Sequence, residues 1–262
     1  MNFYWVYDLS SLTFFLLVIS FFILFALLGT FLLSPWLKKT LTLTEETNNI
    51  VSNYFGLSGV VYGVTLGLIA VASFENFSST DDKVEAEASS LAALYRGVNM
   101  LTGENKAPLL ATLRKYTSDV INIDWPLQQK GIVPTKSTEV INNFQIQLSD
   151  YPLVTPRDEI LFQEMVRQFD GFIEKRRERL NAVSTGLPSL VWLILFIGAF
   201  INIMLTWLLV IQNRKFDFVI NCAMGLLLGS LIFLIAAMDN PFRGEFCVNT
   251  DAFKLLLNTL MK

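Results

Sequence analysis

No histidine occurs anywhere in the 262 residues. That absence removes imidazole general bases, His-based triads and nearly all ordinary zinc sites. Cysteine is almost as scarce: Cys222 falls inside an apolar run and Cys247 stands apart from it, so no disulfide framework is readable. Charge is thin as well, at 16% of residues against an average of about 25%. The net charge of −3 gives no argument for nucleic acid or for an acidic partner. Phosphate loops, dinucleotide fingerprints and metal-ligand spacings are missing too. An enzyme is therefore the least supported class, and neither a cofactor nor a metal is expected.

What the chain has in abundance is apolar sequence, 53% of it, and that sequence is clumped. Four runs stand out: Leu12–Leu33, Leu57–Phe74, Leu190–Ile211 and Phe218–Met238. Each is long enough, or nearly so, to cross about 30 Å of hydrocarbon. Tyr4, Trp5, Tyr7 and Trp36 flank the first run as an interfacial belt would. That run has no basic leader, too long a core and no small-residue cleavage site, so it reads as a retained anchor rather than a signal peptide. None of the four contains Asp, Glu, Lys or Arg, which argues against proton-coupled pumps and voltage sensors. Asn202 and Asn221 are the strongest polar groups at depth, and interhelical hydrogen bonds are expected of them before ion coordination. Cys222, Gly225 and Gly229 form a small-residue seam in the fourth run.

Between the second and third runs the sequence turns polar and helical. Asp82 and Glu85 resemble a capping box, followed by Val84, Ala88, Leu91, Tyr95 and Val98 at helical spacing, with Gly103 as a stop. Pro108 can open a second helix through Leu109, Leu113 and Val120, which Pro126 can end. Gly131 and Pro134 mark a connection, and Ser137 can cap a third helix. Thr155-Pro156 opens a fourth, in which Phe162, Val166, Phe169, Ile173, Leu180 and Val183 follow a heptad. Arg176 stands where that heptad wants an apolar residue. No strand or hairpin signal is present. The expected fold is an all-α integral membrane protein with four transmembrane helices and an all-α soluble region inserted between the second and third. Its expected parts are residues 1–74, 75–186, 187–238, and 239–262 as a C-terminal turn and short helix. Near the membrane, Lys38, Lys39, Arg214 and Lys215 lie on one side, and Lys83, Lys175, Arg176, Arg177, Arg179, Arg243 and Lys254 on the other. That balance favours a cytoplasmic central region and cytoplasmic termini, although Lys38 and Lys39, placed directly after the first span, pull the other way.

Two stretches are candidates for function. In Gly56–Phe77, glycine recurs at Gly59, Gly63 and Gly67, and Ala70, Phe74 and Phe77 continue that helix face, with Leu66 beside it. Either another helix packs closely on this seam, or the seam faces a shared axis and the two rings narrow a pore. Glu75, Asp81 and Asp82 follow closely, either as a cation-attracting ring around such an axis or as a solvated helix turn. The second stretch is the exit from the last run: Asp239, Asn240, Pro241, Phe242, Arg243, Gly244 and Glu245. Proline stops the helix, glycine permits a sharp turn, and the carboxylates and guanidinium can cap or latch neighbouring helix ends.

These stretches carry a resemblance. The run Tyr62-Gly63-Val64-Thr65-Leu66-Gly67-Leu68-Ile69-Ala70-Val71 with Glu75-Asn76-Phe77 is similar to a signature of the bacterial bestrophin-like family. So are Glu85-Ala86-Glu87-Ala88 leading into Leu91-Ala92-Ala93-Leu94-Tyr95-Arg96, the Gly186-Leu187-Pro188 triplet and the Pro241–Glu245 turn. Asn240-Pro241-Phe242 with Gly244-Glu245 resembles the turn after the last membrane helix of true bestrophins, with Arg243 inserted. The resemblance implies a homo-oligomeric channel for inorganic ions, pentameric if bestrophin-like, in the bacterial inner membrane. Its second helix would line the pore, and Phe74 and Phe77 would form a neck. The acidic string of the calcium clasp in animal bestrophins has no counterpart after Glu245, where Phe246-Cys247-Val248-Asn249-Thr250 stands, so calcium gating is not implied. The alternative is a non-conducting membrane scaffold or sensor that uses its glycine seams for packing and its helical region for partners.

Overall fold

The computed structural model describes residues 4–101, 105–153 and 155–262, and every regular element among them is helical. Four helices are long and apolar enough to cross a membrane: Ser11–Thr40, the helix within Glu45–Asn99, Ser189–Trp207 and Arg214–Asp239. By contact the chain divides into two units. One holds residues 1–76, 186–239 and 244–246; the other holds 77–185, 240–243 and 247–262.

In the first unit, α1 (Ser11–Leu28) passes through a π turn (Gly29–Leu33) into α2 (Ser34–Thr40). The π turn has a local cause. The Ala26 carbonyl accepts both the Thr30 hydroxyl (2.8 Å) and the Trp207 indole (3.0 Å), and the Trp207 ring lies where a Cβ on Gly29 would stand. Side chains inserted into a helix ladder in this way widen it. A long helix, α3 (Asn48–Asn99), begins in this unit, and α8 (Ser189–Trp207) and α9 (Arg214–Asp239) complete it. The small residues of α9 do what the sequence suggested. A Cβ on Gly225 would come within 2.7 Å of the Ile23 Cα, and one on Gly229 within 3.0 Å of the Ile19 Cα, so α1 and α9 meet backbone to backbone. Asn221 accepts the Thr206 hydroxyl (2.7 Å), joining α9 to α8 as expected. Asn202 differs: its amide donates to Gly198 on its own helix, and its Oδ1 is buried without a partner.

The second unit is built from the later turns of α3, α4 (Lys106–Asp119), α5 (Trp125–Gln129), α6 (Lys136–Ser149), α7 (Pro156–Ala182) and α10 (Asp251–Thr259). A π turn (Val120–Asp124) joins α4 to α5. Its core gathers Val84, Ala88, Leu91 and Val98 with Leu113, Phe144, Phe172 and Phe253, as the 3.6-residue spacing required.

Several boundaries differ from the sequence reading, each for a physical reason. α3 runs unbroken through Asp82, so Asp82 and Glu85 are exposed residues within a helix rather than a cap. Gly103 lies outside the described residues. Pro126 does not end the helix, which continues from the π turn Val120–Asp124 through it into α5. Ser137 lies one residue inside α6 and is fully buried. The start of α7 is as expected: Thr155 caps it with the reciprocal Thr155–Asp158 bonds of a capping box, and Pro156 is its first residue. The buried seam of α7 is Met165, Phe169, Phe172, Arg176 and Arg179, rotated from the expected heptad, while Val166 faces outward.

Candidate functional site

α3 is the least covered of the four apolar helices. In the stretch that qualifies it to cross a membrane, 11% of residues are buried, against 22%, 28% and 33% for the other three. One side of it packs within the chain. There Tyr62 donates its hydroxyl to the Leu195 carbonyl (2.7 Å), its ring covers Gly198, and Leu66 sits in the same apolar cluster. The neighbouring arc is open among the described residues. A Cβ placed on Gly56, Gly59, Gly63 or Gly67 would find no atom within 4 Å.

The residues singled out in the sequence therefore separate. Gly59, Gly63, Gly67 and Phe74 face outward, with Phe74 55% exposed. Ala70 borders the chain's own apolar cluster, Phe77 is half-buried against the core of the second unit, and Leu66 turns inward. Val60, Val64 and Val71 share the open arc and were missed. Their spacing was a usable signal, but against the glycines they read as ordinary apolar filler. Glu75, Asp81 and Asp82 are exposed on the turns that follow.

Within the exit turn, the Asn240 carbonyl accepts the Arg243 N–H (2.9 Å). In the first unit, Asp239 is buried and accepts the Leu187 N–H (2.5 Å) and the Trp192 indole (3.1 Å), anchoring the entry to α8. In the same unit, Gly244 adopts φ +81°, and Glu245 accepts the Ser11 N–H (2.9 Å) at the start of α1. That bond holds the Glu245 carboxyl below its ordinary pKa. In the second unit, Phe242 packs edge-on against Trp125, and Pro241 accepts the Val248 N–H. Arg243 donates to the Lys130 carbonyl (2.9 Å) across Gly131, whose φ of +72° and missing Cβ make room for the guanidinium.

The polar cluster of the second unit had no clear signal in the sequence. Glu87 and Arg179, both fully buried, form an ion pair at 2.5 Å, and the Tyr116 hydroxyl donates to Glu87 at 2.5 Å. Burial, reinforced by the Glu87 charge, raises the Tyr116 pKa. Arg176 reaches the hydroxyls of Ser137 and Thr138, both at 2.9 Å. Asp124 is buried beside these groups with no well-formed hydrogen bond to either oxygen. Burial raises its pKa against the lowering pull of Ser137, Arg179 and Arg176. Glu87 was visible only as part of a motif, and Arg179 only as one of a run of bases.

The family model of the Bestrophin-like domain matches residues 20–253. No curated protein matches. Among solved structures, the chain is similar to a bacterial bestrophin homolog from Klebsiella pneumoniae. The structure of that homolog phased by Zn-SAD gives a TM-score of 0.67 at 15% identity, covering 95% of this chain and 96% of that one. A point mutant of it gives 0.68 at 16% identity, covering 93% and 96%. At such identity the likeness establishes the fold.

Proposed function

The chain belongs to the bestrophin-like family, and from that premise we propose that it is the subunit of a homo-oligomeric ion channel with α3 around the pore axis. It is an integral membrane protein. In this reading the four apolar helices cross the bilayer, and residues 75–186 form a helical region outside it between the second and third crossings. The observation that carries the reading is the open face of α3: a Cβ on Gly59, Gly63 or Gly67 would meet no atom of the described residues within 4 Å. In the other glycine seam, on α9, α1 fills the space. Small residues permit close approach, so an unfilled row of them supports neighbouring copies around an axis.

Phe74, the large exposed ring on that face, is the proposed constriction. An apolar ring of this kind closes by dewetting when narrow and passes hydrated inorganic ions when wider. Phe77, half-buried, would set its backing. Glu75, Asp81 and Asp82 would then surround the axis and raise the local concentration of cations. The exit turn, Asp239 to Glu245, is the proposed latch that fixes the starts of α1 and α8. The proposed cytoplasmic placement of the central region rests on five basic residues against four. Arg176 and Arg179 are buried in the second unit and do not act as surface charges. Lys83, Lys175, Arg177, Arg243 and Lys254 remain, against Lys38, Lys39, Arg214 and Lys215.

Purified protein in liposomes, assayed for ion flux, tests the proposal. Flux is expected from the wild type and an altered rate from Phe74→Ala. Silence from both sinks the channel and leaves the non-conducting scaffold.

A further inference from the structure

Away from α3, the second unit carries a groove of about 590 Å³ between α4 and the C-terminal helix α10. Its charge is lopsided. Arg114, Lys115 and Lys262 line it, and none of the three forms an ion pair among the described residues. The one acid present is Asp119, whose Oδ2 is shut off from solvent without a hydrogen bond. Among the lining side chains, three cations face one carboxylate.

The wall that brings Lys262 there is built rather than loose. Met261 is fully buried, its N–H bonds the Leu256 carbonyl (3.2 Å), and its sulfur lies 3.2 Å from the buried Thr117 hydroxyl. The end of the described chain is thus fastened to α4 one residue from the lysine. Neutral donors are at hand as well. Ser118 Oγ already accepts from Asn122 (3.2 Å), which leaves its own proton for a ligand oxygen, and the exposed Asn258 amide lines the groove. Ala111 and Leu257 add apolar floor.

We propose that this groove binds a multiply charged phosphate-bearing ligand, its oxygens taken by Arg114, Lys115 and Lys262 and its organic part laid on Ala111 and Leu257. The guanidinium fork suits phosphate oxygens, and the two ammonium groups act as point charges beside it. The volume lies within the range of about 300–1,000 Å³ typical of small-molecule sites, larger than inorganic phosphate needs and suited to a phosphate ester.

Titration calorimetry on the detergent-solubilised full-length protein is the test, with pyrophosphate and ATP as soluble probes. Titration with dioctanoyl phosphatidic acid, against dioctanoyl phosphatidylcholine, asks whether a lipid headgroup is the source of the same chemistry. Wild-type protein should bind one of these probes, and Arg114→Ala/Lys115→Ala should weaken it at least tenfold with an unchanged melting temperature. Both residues are exposed, so their loss leaves the core intact. Lys136→Ala/Arg157→Ala removes two exposed charges elsewhere in the unit and should leave binding unchanged. No binding to any probe overturns the proposal, as does an equal loss in both double variants, which marks diffuse electrostatics. Because the readout is binding rather than flux, its failure is separable from failure of the channel.

Discussion

A buried ion pair costs more to break than it contributes when made, because removing one partner leaves the other charge desolvated and alone. Glu87 and Arg179 are both fully buried, so Arg179→Met should destabilise the protein by about 3–5 kcal/mol, read as a lowered melting midpoint. A loss under about 1 kcal/mol would mean that water reaches the pair, since solvent-exposed pairs are worth no more than that. Asp124 calls for a different test. Its raised pKa means that the folded state favours the neutral carboxyl. The stability this group contributes is fully present below its unfolded value of 3.8 and is lost as pH rises through the raised one. Asp124→Asn, a neutral isostere, should therefore melt higher than wild type near neutral pH, with the gap closing as pH falls toward 3.8. A gap independent of pH would show that the side chain acts through shape alone. Neither residue was legible as a site in the sequence. Glu87 sits among alanines and another glutamate, and Arg179 within a run of bases. What identifies them is the burial of Tyr116 and Phe253 around them, which is tertiary.

At the scale of the element, two glycine rows in similar apolar helices behave oppositely. The α9 row was legible because small residues within an apolar span signal close packing, and α1 occupies it. Gly225→Val should lower the melting temperature of the subunit, because even its Cβ would stand 2.7 Å from the α1 backbone, which cannot give way as a side chain tip can. Gly63→Ala should leave subunit stability unchanged or slightly higher, since alanine favours helix by up to about 1 kcal/mol and meets open space. Equal destabilisation by the two would contradict the difference in packing. The heptad of α7 was half legible. Phe169 and Arg176 belong to both the expected and the observed seam, but Arg176 was taken as the exception in an apolar line. In fact it is one of two buried arginines, and the seam turns toward Met165, Phe172 and Arg179 to bury them. Hydropathy cannot show that rotation, because a buried arginine with partners scores like an exposed one without them.

For the whole molecule the question is what the open face of α3 meets. Exposed valine and leucine decide nothing, since lipid accepts them as readily as a protein partner does. The glycines decide more. Each weakens a helix by about 1 kcal/mol relative to alanine, and among the described residues nothing packs within 4 Å of where a Cβ on Gly59, Gly63 or Gly67 would stand. A row of this kind is retained to advantage only where something must come close or where space must stay open. Replacing Gly59, Gly63 and Gly67 together with leucine separates those cases by two measurements on one sample. If copies pack on this face, the mass of the detergent-solubilised particle by light scattering should fall toward that of the 29.6 kDa chain. If the row lines an opening, the mass should hold and liposome flux should drop at least tenfold as the leucines fill the lumen. An unchanged mass with unchanged flux would place the face against lipid, and with it the proposed axis would have to move to another helix.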